Sequence, residues 1–285
     1  MENYQRFLTE GFKPFNPLEL AEKTERIVTR QSEDGLERKY TRFYTASVYG
    51  GIATGYAVGC CLRCFYCWSN WSRDFPERFG EFYSPRQVAR NLFKAAGECG
   101  WGSSNFIKSK RLVDRLRLSG CEPTIGMKHL LSVLKFVAES EYSLFILETN
   151  GIIIGSNREY ARKLSEFKEK LYVRVSFKAA TPEGFTQRTG AIGEFYKLPF
   201  KVLEYLLNEG LYVRAAAMTD ERVMSKGERA LLIQMLDGID PKANYAETLE
   251  EEVIYPYSMS VNRIRAFKDG FFADKITRSI LKKKR

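Results

Sequence analysis

Three cysteines, Cys60, Cys64 and Cys67, lie close together in a C-x3-C-x2-C arrangement. Thiolates are the usual protein ligands of iron–sulfur clusters, and three of them can hold three irons of a 4Fe-4S cluster. Because a cuboidal cluster contains four irons, this arrangement leaves one iron without a protein ligand and open to a small chelating molecule. The spacing therefore predicts a cluster that takes part in chemistry at its open iron.

The same segment also fits a second pattern. Cys61, Cys64 and Cys67 form C-x2-C-x2-C, with which a ferredoxin-type cluster run begins. Such a run is completed by a fourth Cys followed by Pro, and residues 68–72 contain neither. This alternative predicts an electron carrier with a fully ligated cluster.

Zinc is a further alternative, since closely spaced thiolates also form structural tetrahedral zinc sites. Such a site would need a second pair of Cys or His ligands. The remaining candidates, Cys99, Cys121 and the single histidine His129, are far apart along the chain. The sequence therefore favours an iron–sulfur cluster over zinc.

The cysteine run resembles the signature of the radical S-adenosylmethionine (radical SAM) superfamily, in which an aromatic residue, here Tyr66, precedes the last Cys. Further segments resemble other motifs of that superfamily in the same order: residues 118–124 its S-G-G-E-P-T segment, 147–151 its D-T-N-G segment, and 175–179 the D-x-K strand of its activating enzymes. Together the motifs lie within about residues 46–240. The chain is thus similar to the branch that activates glycyl-radical enzymes.

The resemblance implies one 4Fe-4S cluster on Cys60, Cys64 and Cys67, with S-adenosylmethionine chelating the open iron. It implies that an electron from an external low-potential donor cleaves this cofactor into methionine and a 5′-deoxyadenosyl radical, which abstracts hydrogen from a substrate. No cysteine follows Cys121, so a single cluster is expected. An oxidoreductase of this kind would be oxygen-sensitive.

The resemblance also assigns cofactor contacts. It implies that Tyr66 packs on the adenine, that Asn150 orients the ribose, and that the Lys178 ammonium faces the methionyl carboxylate. The 120–122 turn would present its backbone to the methionyl amine, with Glu122 either adding a contact or bracing the turn. Each residue also has an ordinary structural alternative, as a core aromatic, a turn residue or an exposed strand end.

Three positions complete the predicted cofactor site. Cys121 stands where the superfamily usually has a second Gly, a change that is tolerated if its φ is negative. Glu148 and Ser176 match positions at which acidic residues of the activating enzymes hold a monovalent cation. Ser176 is not acidic, so that cation is not expected here.

Apolar β-rich runs alternate with helical patterns along the chain, which is typical of βα units and a parallel sheet. Strands are predicted near residues 51–58, 112–118, 143–148, 171–178, 211–218 and 252–255. Helices are predicted at 85–96, at 199–209, and around the apolar stripes of residues 127–137 and 231–236. Six such units predict a partial (β/α)6 TIM-like barrel, with its reactive groups at the carboxyl ends of the strands.

Two extensions flank the predicted barrel, which is assigned to residues 46–240. Residues 1–45 contain a hairpin signal at Asp34-Gly35, with arms at 27–30 and 36–43. Residues 100–110, rich in Gly, Ser and Lys, predict a loop, and residues 241–285 form a tyrosine-rich C-terminal appendage.

Composition limits the location and the partners. The chain of 285 residues is 44% hydrophobic, enough for a large core, but lacks the roughly 20-residue apolar run that a membrane span needs. With its polar amino terminus and clustered cysteines, it is expected in the cytoplasm, a reducing compartment.

The net charge of +10 favours acidic partners. The basic and aromatic stretch 39–44 could stack nucleic-acid bases, whereas the run 282–285 is typical of a solvated tail. Three functions stay open: a radical SAM enzyme acting on a protein, as the activating enzymes do, a radical SAM enzyme that modifies RNA, and a non-enzymatic electron carrier or sensor.

Overall fold

The computed structural model describes residues 4–33, 35–97 and 113–282. The predicted loop at 100–110 and Asp34 of the predicted turn lie outside these ranges. The strands are β1 (Thr29–Ser32), β2 (Gly35–Ala46), β3 (Ile52–Ala57), β4 (Glu81–Tyr83), β5 (Arg115–Gly120), β6 (Leu144–Thr149), β7 (Leu171–Phe177), β8 (Tyr212–Met218) and β9 (Glu250–Glu252).

The helices are α1 (Pro17–Val28), α2 (Pro85–Gly97), α3 (Met127–Ala138), α4 (Ile152–Ser156), α5 (Arg158–Ser165), α6 (Pro182–Thr189), α7 (Leu198–Asn208), α8 (Lys226–Ile239), α9 (Tyr245–Thr248), α10 (Ser258–Lys268) and α11 (Gly270–Lys282). Two short 3-10 helices cover Val48–Gly50 and Gly193–Lys197. Within the described ranges, no helix combines the length and apolar character that crossing a membrane requires.

Six strands form a continuous parallel series in the order β3, β5, β6, β7, β8 and β9. Helices follow the strands and cover the outer face of the sheet. The structure therefore confirms the partial (β/α)6 barrel. Because the six strands run in one direction, their carboxyl ends share one rim of the sheet.

Alternation along the strands separates the core from the barrel interior. In β5, Leu116 and Leu118 are fully buried in the main apolar core with α2 and α3. Arg117 and Ser119, which alternate with them, face inward and donate hydrogen bonds to Glu148 of β6. The interior of the barrel is therefore lined by polar and charged side chains near its carboxyl rim.

Apolar side chains form a cluster at the opposite end of the barrel. Ile52, Ile146 and Tyr172, near the amino ends of β3, β6 and β7, form a buried cluster. Tyr49 and Leu144 pack against it. This cluster lies at the end of the barrel away from the carboxyl rim.

The N-terminal hairpin is confirmed, because β1 and β2 pair antiparallel with Ser32 opposite Gly35. The predicted first arm at 27–30 was wrong in part, since α1 extends to Val28. Asn16 caps this helix through a 2.9 Å bond from the Leu18 amide to its side-chain oxygen. The helix signal was missed because its buried stripe is short and its other faces are charged.

Two predicted strands are displaced in the structure. The second barrel strand, expected at 112–118, is Arg115–Gly120, and the sixth, expected at 252–255, is Glu250–Glu252. The sixth strand pairs with β8 through charged residues, so hydrophobicity did not mark its start. It lies in the stretch 241–285, and the domain boundary at 240 stays a prediction.

The single histidine, His129, is buried at the start of α3, where its Nδ1 lies 2.8 Å from the Leu36 carbonyl oxygen of β2. Burial lowers its pKa to about 4, and the nearby Arg38 guanidinium acts in the same direction. Between pH 6.5 and pH 4, His129 is therefore protonated in the unfolded chain, where its pKa is about 6.5, but neutral in the folded chain. The free energy of unfolding is expected to fall by about 3 kcal/mol as the pH drops from 6.5 to 4.

Urea denaturation of His129→Gln over the same pH range tests this expectation. The variant should lose this component of the pH dependence whatever its absolute stability. Lys128→Gln, an exposed neighbour, is the matched control and should retain it. An unchanged slope in His129→Gln would show that other groups cause the pH dependence.

Candidate functional site

A cavity of about 930 Å³, including its open mouth, lies at the carboxyl rim of the barrel. All of the residues that the sequence predicted as cluster ligands or cofactor contacts line it: Cys60, Cys64, Tyr66, Cys67, Gly120, Cys121, Glu122, Glu148, Asn150, Ser176 and Lys178. The fold thus brings together side chains from the cysteine loop and from β5, β6 and β7.

The cysteine loop begins directly after β3, where Gly59 adopts a positive φ of 83°. A Cβ atom at this position would lie 2.4 Å from Thr24 Cγ2 of α1. The Gly59 carbonyl oxygen accepts a 2.9 Å bond from the Glu122 amide after β5. Glycine is therefore needed here, and the start of the loop is attached to the neighbouring strand end.

Cys60 and Cys61 differ in where their thiols lie. Cys60 lines the cavity, whereas Cys61 is fully buried, with its sulfur 3.4 Å from Asn150 Nδ2. A hydrogen bond from the Cys61 thiol lowers the pKa of Cys60, and burial raises the pKa of Cys61. The side chain facing the cavity belongs to C-x3-C-x2-C, not to the alternative C-x2-C-x2-C.

Cys64 and Cys67 lie on one turn, in which the Cys67 amide donates to the Cys64 carbonyl oxygen at 3.1 Å. Burial raises the pKa of Cys64 to about 11. Burial also acts to raise the pKa of Cys67, but the charges of Arg73 and Arg263 outweigh it and lower that pKa. The loop thus places positive charge beside a thiol that would bind metal as thiolate.

The three candidate thiols line the same cavity and do not meet at one point. Across the described ranges, no three His, Cys, Asp or Glu side chains converge as the ligands of a single metal ion would. The ligands of a cuboidal cluster each bind a different iron and are spaced around it. The three cysteines therefore suit a cluster in their residue type, and all three line the same cavity.

Glu122 braces the turn after β5. Its Oε1 accepts bonds from the Thr124 amide at 3.1 Å, the Thr124 hydroxyl at 2.6 Å and the Thr149 hydroxyl at 2.8 Å. Its Oε2 accepts a 2.8 Å bond from the Asn150 amide. Burial raises its pKa despite these donors. Glu122 therefore braces the turn, and its contact with the methionyl amine stays a prediction.

The turn also depends on Gly120, whose φ is 102°. A Cβ atom there would lie 2.6 Å from the Tyr56 ring. Among the described residues, Cys121 does not have a positive φ. This meets the condition under which cysteine can replace the usual second glycine of this turn. The Cys121 sulfur lies 3.5 Å from the Ser72 hydroxyl, and burial raises its pKa to about 12.

Tyr66 offers an unused polar atom at the cavity wall. The side chain is buried, and its hydroxyl has no hydrogen-bond partner in the described structure. Its ring packs edge-to-face on Phe65 at 5.2 Å. A buried hydroxyl without a partner is unfavourable, so a polar ligand in the cavity would satisfy it.

Asn150 contacts the cysteine loop. Its side-chain nitrogen, Nδ2, lies 3.6 Å from the Cys60 sulfur, and its Oδ1 accepts a 3.1 Å bond from the Ile152 backbone amide. The side chain is thereby oriented toward the loop while it lines the cavity. Its contact with a ribose stays a prediction.

A charged network lies beside the predicted carboxylate contact. Lys178 Nζ donates to Ser176 Oγ and lies 3.8 Å from Glu252 Oε2. Arg174 Nη2 donates to the other Glu252 oxygen at 2.9 Å. Burial acts to raise the pKa of Glu252, but Lys178 and Arg174 outweigh it and lower that pKa. Lys178 therefore faces the cavity as part of an ion-paired group.

Glu148, the remaining predicted contact, is similarly paired. It accepts a 2.9 Å bond from Arg117 Nη1 and a 3.3 Å bond from the Tyr49 hydroxyl, as well as the bond from Ser119. Its carboxylate is thus neutralised by a guanidinium of the adjacent strand.

Sequence reasoning missed several residues that line the same cavity: Trp68, Arg73, Arg174, Met218, Glu252 and Tyr257. Arg174 lies two residues before Ser176 on one face of β7, so the alternation of a strand could have indicated it. Glu252 was missed because the predicted strand 252–255 began at this residue, whereas β9 ends there. The prediction therefore placed Glu252 at the amino end of the strand and not at the carboxyl rim.

No family model matches the chain, and no curated protein does. Solved structures do. SuiB from Streptococcus suis aligns at 14% identity with a TM-score of 0.52, over 79% of this chain and 45% of SuiB. A radical SAM methyltransferase from Sphaerobacter thermophilus aligns at 13% identity with a TM-score of 0.53, over 88% and 73%.

TYW1 with a lysine-pyruvate adduct bound is a third similar structure, at 13% identity and a TM-score of 0.50, over 80% of this chain and 72% of TYW1. In the alignment with SuiB, this chain spans less than half of the length of SuiB. At such identities the likeness concerns architecture. The protein has the partial-barrel fold found in a radical SAM methyltransferase.

Proposed function

We propose that this protein is a radical SAM enzyme with one 4Fe-4S cluster on Cys60, Cys64 and Cys67, and with S-adenosylmethionine at the open iron. The observation that carries the proposal is the convergence of the four motifs on one cavity at the carboxyl rim. These motifs are spread over residues 60–179 of the sequence. The fold shared with a radical SAM methyltransferase supports the same function.

The chain's own groups fit these cofactors. When bound, the reduced cluster would supply the electron that cleaves S-adenosylmethionine to methionine and a 5′-deoxyadenosyl radical. The unpartnered Tyr66 hydroxyl offers a polar contact, and the Lys178 ammonium offers a cationic one to a carboxylate. Glu122 holds the turn after β5 in shape. The apolar cluster around Ile146 lies at the opposite end of the barrel.

Anaerobic reconstitution with iron and sulfide, followed by dithionite reduction, tests the proposal. Chromatography should detect 5′-deoxyadenosine after S-adenosylmethionine is added, and the cofactor should perturb the electron paramagnetic resonance spectrum of the cluster. A reduced cluster that gives neither result would contradict the proposal. The cluster would then act as an electron carrier or sensor.

For the substrate, we propose a macromolecule. Large apolar side chains stand exposed at the mouth of the cavity: Trp68 is 49% exposed, Tyr255 59% and Tyr257 58%. Exposed aromatic side chains commonly mark binding surfaces. The resemblance to activating enzymes favours a protein as hydrogen donor. The electron would come from a separate low-potential donor.

RNA is the second candidate, and the specific observation in its favour is the same aromatic rim on a chain of net charge +10. Rings of this kind can stack bases. On the outer strand β2, Arg42 is also exposed and stacks over the Tyr44 ring at 4.5 Å. By contrast, Tyr40 of the predicted base-stacking stretch is buried.

Purification at low and at high salt distinguishes the candidates. Bound RNA would add absorbance at 260 nm that is removed by salt of about 1 M, because phosphate contacts are salt-labile. Replacement of Tyr255 and Tyr257 by Ala should lower RNA retention. Association with an acidic protein and no excess absorbance at 260 nm would favour the protein substrate.

A further inference from the structure

The backbone carbonyl groups of the three candidate cluster ligands each accept a hydrogen bond from a different buried arginine. Arg63 Nη1 donates to the Cys60 carbonyl oxygen at 2.8 Å. Arg73 Nη1 donates to that of Cys64 at 2.7 Å. Arg263 Nη1 donates to that of Cys67 at 2.6 Å. The guanidinium groups thus contact the backbone at each ligand position.

Arg263 is the arginine that the sequence least indicates, since it lies on α10, almost 200 residues beyond the cysteine loop. It is 2% exposed. Besides Cys67, it donates to the carbonyl oxygens of Ser69 and Asn70. Its guanidinium also lies 4.9 Å from the Trp71 ring centre. A single side chain thereby holds most of the segment that follows the last ligand.

Asp74 connects two of the arginines. Its Oδ2 accepts a 2.6 Å bond from Arg263 Nη2, and its Oδ1 accepts a 3.0 Å bond from Arg73 Nε. The carboxylate is fully buried. Because a buried charge is costly unless it is paired and hydrogen-bonded, these contacts hold the three side chains in one arrangement.

The C-terminal helices supply the support for Arg263. Ala266 of α10 and Ala273 of α11 are buried together with Phe7 and Phe75 in a separate apolar cluster. Phe75 directly follows Asp74 in sequence. The end of the cysteine loop and the helix that carries Arg263 are therefore packed on each other through apolar contacts as well as ionic ones.

We propose that Arg263 is a positioning residue for the cluster: it fixes the Cys67–Asn70 backbone and places a permanent positive charge beside the cluster. The electrostatic role, the placement of charge beside the cluster, rests on the proposed function. Hydrogen bonds, nearby charge and solvent exposure set the reduction potential of an iron–sulfur cluster. A guanidinium favours the reduced form, which carries more negative charge. Arg263 therefore raises the cluster potential.

Lysine is not an equivalent replacement. It would keep the charge, but a single ammonium lacks the planar fork that reaches several carbonyls and a carboxylate together. Arg263→Lys therefore separates the two effects, and Arg263→Gln removes both. Arg278→Gln is the matched control, because Arg278 is exposed on α11.

The first measurement uses the metal-free protein and an alkylating reagent under anaerobic conditions, with mass spectrometry to locate the labelled thiols. Arg263→Lys decides this test, because it keeps a positive charge near the Cys67 thiol and its labelling rate therefore reports on backbone position alone. Loss of the hydrogen bonds to the loop should make Cys67 and Cys64 label about tenfold faster in Arg263→Lys than in Arg278→Gln. Cys121, outside the loop, is the internal reference for global opening. Equal acceleration at Cys121, or no acceleration at Cys67 in Arg263→Lys, would overturn the positioning role.

The second measurement uses the reconstituted protein. A chelator should remove iron about tenfold faster from both Arg263 variants than from the control. A redox titration followed by electron paramagnetic resonance should give a more negative potential for Arg263→Gln, and one near the wild-type value for Arg263→Lys. Potentials unchanged in both would overturn the electrostatic role. If wild-type protein takes up no cluster, the proposed function and the electrostatic role fail together, whereas labelling still decides the positioning role.

Discussion

Replacement of Cys64 by Ala is expected to abolish both stable cluster assembly and formation of 5′-deoxyadenosine. Cys64 is buried and lines the cavity together with the other two candidate ligands. With two thiolates left, the cluster would have two irons without a protein ligand instead of one. Iron and sulfide content after reconstitution and chromatography of the reaction mixture measure the two effects. Full activity of Cys64→Ala would contradict the proposed ligand set.

The two adjacent cysteines provide a matched comparison. Cys60→Ala should lose the cluster as Cys64→Ala does, because the Cys60 thiol faces the cavity. Cys61→Ala should keep it, because the Cys61 thiol is buried against Asn150. The substitution should cost only about 1 kcal/mol of stability, as small core truncations do. The reverse result would establish the C-x2-C-x2-C alternative.

Asp74→Asn is expected to lower the free energy of unfolding of the metal-free protein by roughly 3–5 kcal/mol, the usual cost of leaving a buried charge without its partner. Arg73 and Arg263, both buried, would lose the carboxylate that lies between them. An asparagine could accept from one guanidinium but would turn its amide group toward the other. Urea denaturation at neutral pH measures the loss.

The pH dependence offers a second test of the same carboxylate. Burial acts to raise the pKa of Asp74, but the charges of Arg263 and Arg73 outweigh it and lower that pKa. Its stabilising contribution is therefore complete above the unfolded-state pKa of about 3.9 and declines as the pH falls below it. The difference between wild type and Asp74→Asn should shrink in that range.

Asp274→Asn is the control for both measurements, since Asp274 is exposed on α11. It should change stability by no more than about 0.5 kcal/mol. A comparably small effect of Asp74→Asn would show that the arginines are adequately stabilised by backbone carbonyls alone.

The barrel could be predicted because its strands follow simple patterns. Four of the five barrel strands up to β8 are followed by a predicted helix with an apolar stripe, and parallel strands place their carboxyl ends on one rim. Gly120, Asn150 and Lys178 therefore fell into one cavity although nothing in their local sequence connects them. The weak strand β9, with three consecutive glutamates, lacks an apolar run and was misplaced.

The amino acid sequence by itself determined the cysteine spacing, the order of the motifs and the succession of βα units, because these depend on residue type and local periodicity. Only the tertiary structure decided which of Cys60 and Cys61 faces the cavity, and that Glu122 braces its turn. It also placed Glu252 beside Lys178 and Arg263 against the cysteine loop. Such contacts join distant segments through buried polar atoms, and their partners are selected by packing and by the need to pair buried charge.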